Sequence, residues 1–288
     1  MPEAPLHRVV TSDGTEIVAR VEGRGPPLVL LPAGPGDSET SWRPLLPWLS
    51  ERFTCYLLDT RGRGASTNHP DHSPERLVQD VADFVESVGQ RVGLVEWGTS
   101  LWALVAAERS PSITAVAAYE PGANEVMNAE VASRFEQVIF PRLGGLVAEG
   151  RLADAAHAFI EHSDVLYNDE ELAHGAPSAF WMAAAPNLPV FLQEQQQLAE
   201  AGAGPTSPPV LGRIDVPVLL LQGTASRRWF SDSVRHVVRH LSDAHVSEIT
   251  GAGHFGPHTH PEAVAEELIR FLAPARETAR GPSVSRVR

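Results

Sequence analysis

The sequence predicts an α/β protein with one mostly parallel central sheet flanked by helices, and three observations carry that prediction. Short apolar strands alternate with helices through the first third of the chain, the order in which βαβ units are built. The same alternation returns after about residue 210. Between these stretches, residues 123–209 show helical periodicity alone, which reads as a helical cap inserted into the sheet domain.

The elements follow in order. Residues 8–11 and 16–21 flank Ser12-Asp13-Gly14-Thr15, whose composition suits a hairpin turn. A buried strand is expected over residues 28–31, a helix over 42–49 and a strand over 54–58. The helix over 74–88 has Ser73 as its cap and Pro74 at its first position, with Leu77, Val81, Phe84 and Val88 on one face. A strand over 92–95 then delivers Glu96 into a tight turn, followed by a helix over 101–108. The next strand, over 113–119, ends at Glu120-Pro121.

In the cap, helices are expected over residues 131–140, 152–160 and 191–201, and a loop rich in glycine and proline over 203–209 closes it. Strands over 218–222 and 245–249 then flank a helix over 231–241. The chain divides accordingly: residues 1–122 and 210–274 form the two parts of the core, 123–209 the cap, and 275–288 a disordered tail.

Composition narrows the function. With 288 residues, 43% of them hydrophobic, the chain can bury one sizeable core plus an inserted subdomain. Its formal charge of −13, with arginine as the only basic residue type besides histidine, argues against a nucleic-acid backbone or an anionic membrane surface as partner. The single cysteine, Cys55, lies in an apolar run and reads as a small buried hydrophobe. The N-terminus lacks a basic start followed by an apolar core, and no apolar run approaches membrane-spanning length, so a soluble cytoplasmic protein is expected. No dinucleotide fingerprint, phosphate loop or histidine and cysteine spacing implies a cofactor or a metal. A small-molecule substrate is the expected partner, and a homodimer is left open.

Several separated motifs stand in a recognisable order: Leu31-Pro32-Ala33-Gly34-Pro35-Gly36 with Trp42 behind it, Asp59-Thr60-Arg61-Gly62-Arg63-Gly64-Ala65-Ser66, Glu96-Trp97-Gly98-Thr99, and Gly251-Ala252-Gly253-His254-Phe255 followed by His260-Pro261-Glu262. Over residues 8–273 this resembles the α/β-hydrolase superfamily. The segment around Glu96 most resembles the elbow of haloalkane dehalogenases and epoxide hydrolases, with glutamate in place of the usual aspartate or serine nucleophile. The resemblance implies Glu96 as nucleophile, His254 as the water-activating base, and the amides of Gly34 and Trp97 as an oxyanion hole. The usual acid position falls on Ser226, so the resemblance assigns the third role to Glu120, with Asp232 a weaker substitute near a helix start. Asp59 and Arg61 are scaffolding in such proteins.

Trp97 could line the pocket or donate its indole N–H to a leaving group, and Tyr167 and Trp181 fall in the cap as further substrate-binding candidates. A competing register makes Ser100, in Gly98-Thr99-Ser100, the nucleophile of an ordinary esterase. Spacing favours Glu96, because Glu120 then follows 24 positions later, at the end of the next strand. Hydrolysis of a small, largely apolar substrate, most like epoxide opening, is the leading expectation. Two others stay open: a non-hydrolytic elimination, cyclisation or rearrangement with Glu96 as general acid/base, and a binding protein that has lost catalysis.

Overall fold

The computed structural model describes residues 4–98, 102–202 and 204–273. Eight strands form one sheet: β1 (Leu6–Val10), β2 (Glu16–Gly23), β3 (Pro27–Leu30), β4 (Thr54–Asp59), β5 (Val92–Trp97), β6 (Ile113–Tyr119), β7 (Val218–Gly223) and β8 (Ala244–Ile249). Their spatial order is β1-β2-β4-β3-β5-β6-β7-β8. The pairs β1/β2 and β2/β4 are antiparallel, while all pairs from β4/β3 to β7/β8 are parallel. The parallel strands therefore end on one edge, where an α/β sheet presents its ligand site.

Helices cover both faces, because strands buried on both sides must pack twice. On one face Leu94, Val116 and Leu220 pack with α3 (Pro74–Val88), α4 (Trp102–Ala106) and α12 (Arg228–His240). On the other, Val95, Ala117 and Leu219 pack with residues of α2 (Leu46–Leu49), α14 (Pro261–Leu272) and the segment between β6 and β7. The α3 helix starts as its sequence predicts, with the Ser73 side chain accepting from the Arg76 amide and Gly89 closing it at φ +68°. Of the helix expected over 42–49 only its last turn, α2, is helical, and a separate short helix precedes it. The latter, α1 (Ser38–Ser41), is capped by Asp37 and ends at Trp42, whose indole donates to the Leu31 carbonyl at 2.8 Å.

Among the described residues, the segment from β6 to β7 contains helices and no strand: α5 (Ala129–Arg134), α6 (Phe140–Ala148), α7 (Leu152–Glu161), α8 (Asp169–His174), α9 (Ala176–Ala183), α10 (Leu188–Ala201) and α11 (Pro208–Leu211). After β8 the chain makes the short α13 (Gly256–Thr259) before α14. The expected disordered tail at 275–288 lies outside the described residues.

Asp59 and Arg61 hold the β4 turn. The Arg61 guanidinium, fully buried, donates to Asp80 at 2.5 and 2.8 Å and to Asp13 at 3.0 Å, while Asp59 accepts from the amides of Ser38 and Ala65. Arg61 is thus paired with two carboxylates, and Asp59 is satisfied by backbone amides, as burial of charged groups requires.

Candidate active site

The sharp bend after β5 falls on Gly98, at φ +81°, and not on Glu96. A Cβ built on Gly98 would stand 3.6 Å from both Cε1 and Nε2 of His254. The position that would aim a side chain at the imidazole therefore carries none. This corrects the expectation for Glu96, which lies two residues earlier, inside the strand. Strand residues alternate between faces, so Glu96 shares the face of Leu94 and Ala118, beneath α4, whereas Val95 and Trp97 look the other way.

There the Glu96 carboxyl is buried, with Oε2 accepting from the Ala103 amide at 2.8 Å. Burial pushes its pKa up to about 8, against the opposing effect of the Ala103 and Leu104 amides. Its Oε1 meets no hydrogen-bond partner among the described residues. The carboxyl does not line the cavity beside His254. Ser100, the alternative nucleophile, lies outside the described residues.

His254 stands in the turn after β8, where Gly251 at φ +79° and the short α13 hold the loop. Its Nδ1 is 3.0 Å from Glu120 Oε2. Because a carboxylate only accepts, Nδ1 is the donor in this contact, and Nε2 is the nitrogen that faces the bend. The ring is held flat by Phe230, with centroids 3.9 Å apart and planes 8° from parallel. Glu120, fully buried at the end of β6, is the one non-glycine among the described residues with positive φ, at +47°. That conformation costs roughly 1–2 kcal/mol and turns the carboxyl toward the histidine. Its second oxygen accepts from the Gly223 amide at 2.8 Å and from the Ser226 hydroxyl. The residue at the usual acid position thus supports the substitute acid. Asp232 is engaged elsewhere, with Arg228 and Arg235 on α12.

In front of the imidazole opens a cavity of about 660 Å³ lined by the β5 bend, the loop at Gly34 and helices of the β6–β7 segment. Tyr167, Trp181 and Trp97, the three candidates named for substrate contact, all line it. Tyr167 stacks beyond His254 at 5.9 Å, and its hydroxyl accepts from the Trp181 indole at 3.1 Å. Burial raises the Tyr167 pKa, so the phenol stays protonated. The Trp97 indole is already committed to the His254 carbonyl at 2.9 Å, which removes it as a donor to a leaving group. No arginine is among the described residues that line the cavity.

Of the two amides expected to form an oxyanion hole, the structure puts only Gly34 in a loop on the cavity wall. Trp97 precedes the bend and belongs to the β5 ladder. The amide that follows the bend is that of Thr99, outside the described residues. The Gly34 loop is fixed from behind: Arg63 donates to the Gly34 carbonyl at 2.5 Å and to that of Gly36 at 3.3 Å, and pairs with Glu194 of α10. Sequence reasoning missed this buried pair, and it missed Glu171, which reaches from α8 to the Phe255 amide at 2.5 Å. The only signal for Glu171 was the spacing Asn168-x-x-Glu171, which marks a helix start and nothing more. No group of three or more metal-ligating side chains occurs among the described residues.

Residues 28–267 match the family model described as "Alpha/beta hydrolase family". The chain is 24% identical over 275 residues to a 2-(acetamidomethylene)succinate hydrolase of Mesorhizobium japonicum, covering 88% of this chain and 90% of that protein. It is 22% identical over 278 residues to a soluble epoxide hydrolase of Corynebacterium sp., covering 88% and 92%. Among solved structures it resembles an alpha/beta hydrolase from Sphaerobacter thermophilus, with a TM-score of 0.72, 25% identity, and 92% and 99% of the two chains covered.

Proposed function

The chain belongs to the alpha/beta hydrolase family, and on that premise we propose that His254, oriented by Glu120, is the general base of a hydrolase acting on a small, neutral, largely apolar substrate. One observation carries this reading: the residue at the bend facing His254 Nε2 is glycine, where an added Cβ would stand 3.6 Å from that nitrogen. A space without a side chain, in front of an imidazole whose other nitrogen is bound to a buried carboxylate, suits a water molecule. His254 Nε2 takes a proton from that water as its oxygen attacks the electrophilic carbon, and the leaving oxygen departs toward the Gly34 amide. Epoxide opening fits the sequence, with water adding to a ring carbon as the C–O bond breaks and the alkoxide taking a proton back from the imidazolium. The aromatic walls exclude bulk water and bind through apolar area. Glu96 has no part in bond-making here; its carboxyl supports the start of α4.

The same glycine also favours a second reading. With glycine at the bend, His254 could take its proton from a substrate carbon, as in an elimination or cyclisation. A protein kept only for binding would need neither a carboxylate behind the imidazole nor a strained residue to hold it.

The test is a single turnover in ¹⁸O-water with neutral aryl epoxides and aryl esters. Direct attack labels the product fully in the first turnover and leaves the protein unlabelled. An unlabelled first product with ¹⁸O in the peptide carrying Glu96 would overturn the reading in favour of a carboxylate ester. Activity abolished in Ser100→Ala would transfer the nucleophile to Ser100, and a parallel reaction in D₂O that places deuterium on a substrate carbon with no net addition of water would select proton transfer.

A further inference from the structure

Behind His254 the structure holds a second carboxylate that neither the motifs nor the Glu120–His254 pair account for. Glu171 lies in the first turn of α8, within the inserted helices, and is buried. Its side chain performs two tasks at once. One oxygen closes the α8 capping box by accepting from the Asn168 amide at 3.1 Å, and the other accepts from the Phe255 amide at 2.5 Å, the residue directly after His254. A Cβ on Gly253 would fall 2.2 Å from the Glu171 carboxyl carbon, so the loop gives this carboxyl its room by having glycine on the other side of His254. The Asn168 amide group adds a link from the same helix start to the Ala225 carbonyl at 3.0 Å.

The surroundings define what the contact does. Glu120 from β6 binds His254 directly, Tyr119 from the same strand donates to the Gly253 carbonyl at 2.7 Å, and Trp97 from β5 donates to the His254 carbonyl. The backbone on both sides of the imidazole is thus pinned from the sheet by carbonyl contacts and from the insertion by one amide contact. Burial raises the pKa of Glu171, and the nearby Glu120 adds to this, while the Phe255 amide and His254 oppose it. A charge-assisted bond from a backbone amide is about twice as strong as a neutral one, which suits a clasp between two segments distant in the chain.

We propose that Glu171 is a positioning residue for His254: by accepting the Phe255 N–H it ties the catalytic loop to α8, so that the imidazole meets Glu120 and the bend only while the inserted helices are seated. This rests on the reading of His254 as the base. It goes further by making the insertion part of the base's support as well as a wall of the cavity. A lost contact lets the loop shift, and a displacement near an ångström is costly in a proton-transfer site.

The test reads the His254–Glu120 hydrogen bond directly, without substrate. A histidine N–H shared with a carboxylate gives a proton resonance far downfield of the amides, and it vanishes when the bond opens to water. Glu171→Gln keeps an acceptor of the same reach, whereas Glu171→Asp keeps the charge and the helix cap but falls one methylene short of Phe255. The downfield signal is expected to persist in the glutamine variant and to be lost in the aspartate variant, with His254→Ala identifying it. An aspartate variant with the wild-type signal overturns the proposal, as does a glutamine variant that loses the signal equally. If no turnover is found with any substrate, the proposed function fails while this readout still decides the role of Glu171.

Discussion

Glu120 and His254 are 134 residues apart in the chain and 3.0 Å apart in space, a carboxylate and an imidazole brought together from the end of β6 and the turn after β8. The acid comes from the end of β6, while Ser226, after β7, holds its other oxygen.

Glu120→Ala is expected to lower kcat on any substrate that is turned over by about a hundredfold to ten-thousandfold, the range lost when a base loses its orienting carboxylate. Because Ser226 already touches Glu120, the double variant Glu120→Ala/Ser226→Asp should recover part of that loss. Steady-state rates of the single and double variants check this. No recovery would mean that the backbone at Ser226 cannot present an acid to the imidazole.

Glu96 should make the fold sensitive to alkali. Its pKa is raised from 4.5 to about 8 in the folded state, so between those values the folded chain keeps a proton that the unfolded chain has released. The stability from this group is complete below pH 4.5, declines as pH rises, and is gone above about 8. By pH 7 the loss is on the order of 3 kcal/mol. Glu96→Gln, neutral at every pH, should melt higher than the wild type at pH 8 and show no such gain at pH 4.5, measured by thermal denaturation.

Gly98→Ser should create what the bend lacks. The Cβ fits at ordinary contact distance from His254, and the φ of +81° adds strain of roughly 1–2 kcal/mol. Mass spectrometry after mixing with p-nitrophenyl acetate is expected to show an acetylated protein that the wild type does not form. A variant that stays unmodified would show that His254 cannot activate a hydroxyl at this position.

The cavity should prefer neutral ligands. Without an arginine among the described lining residues, a carboxylate entering this space would lose its hydration uncompensated. An aryl carboxylic acid is expected to bind about 2 kcal/mol more weakly than its methyl ester, roughly thirtyfold. Isothermal titration calorimetry at pH 8 reads the difference, and equal affinities would point to a cation outside the lining described here.

The bend was the hardest feature to place from the letters. The sequence favours a turn at Glu96 on its spacing to Glu120, yet a fully buried parallel strand has no polar alternation to mark where it stops. The structure extends β5 through Trp97, and a two-residue change moved the carboxyl from the cavity to the underside of α4. The helix expected over 42–49 failed for a similar reason: Trp42 is apolar because its ring is core and its indole caps Leu31, and not because it continues a helical face.

By itself the sequence determined the α/β order of elements, the scaffolding turn at Asp59 and Arg61, and His254 and Glu120 as paired candidates. The first two are patterns carried within a few residues, while the pair follows from the order of separated motifs that resemble a known family. Tertiary structure alone decided which face Glu96 occupies, that Gly98 meets the imidazole, and that Glu171 and Arg63 tie the inserted helices to the core. Such contacts join residues distant in the chain, and their existence depends on packing geometry that no local pattern encodes.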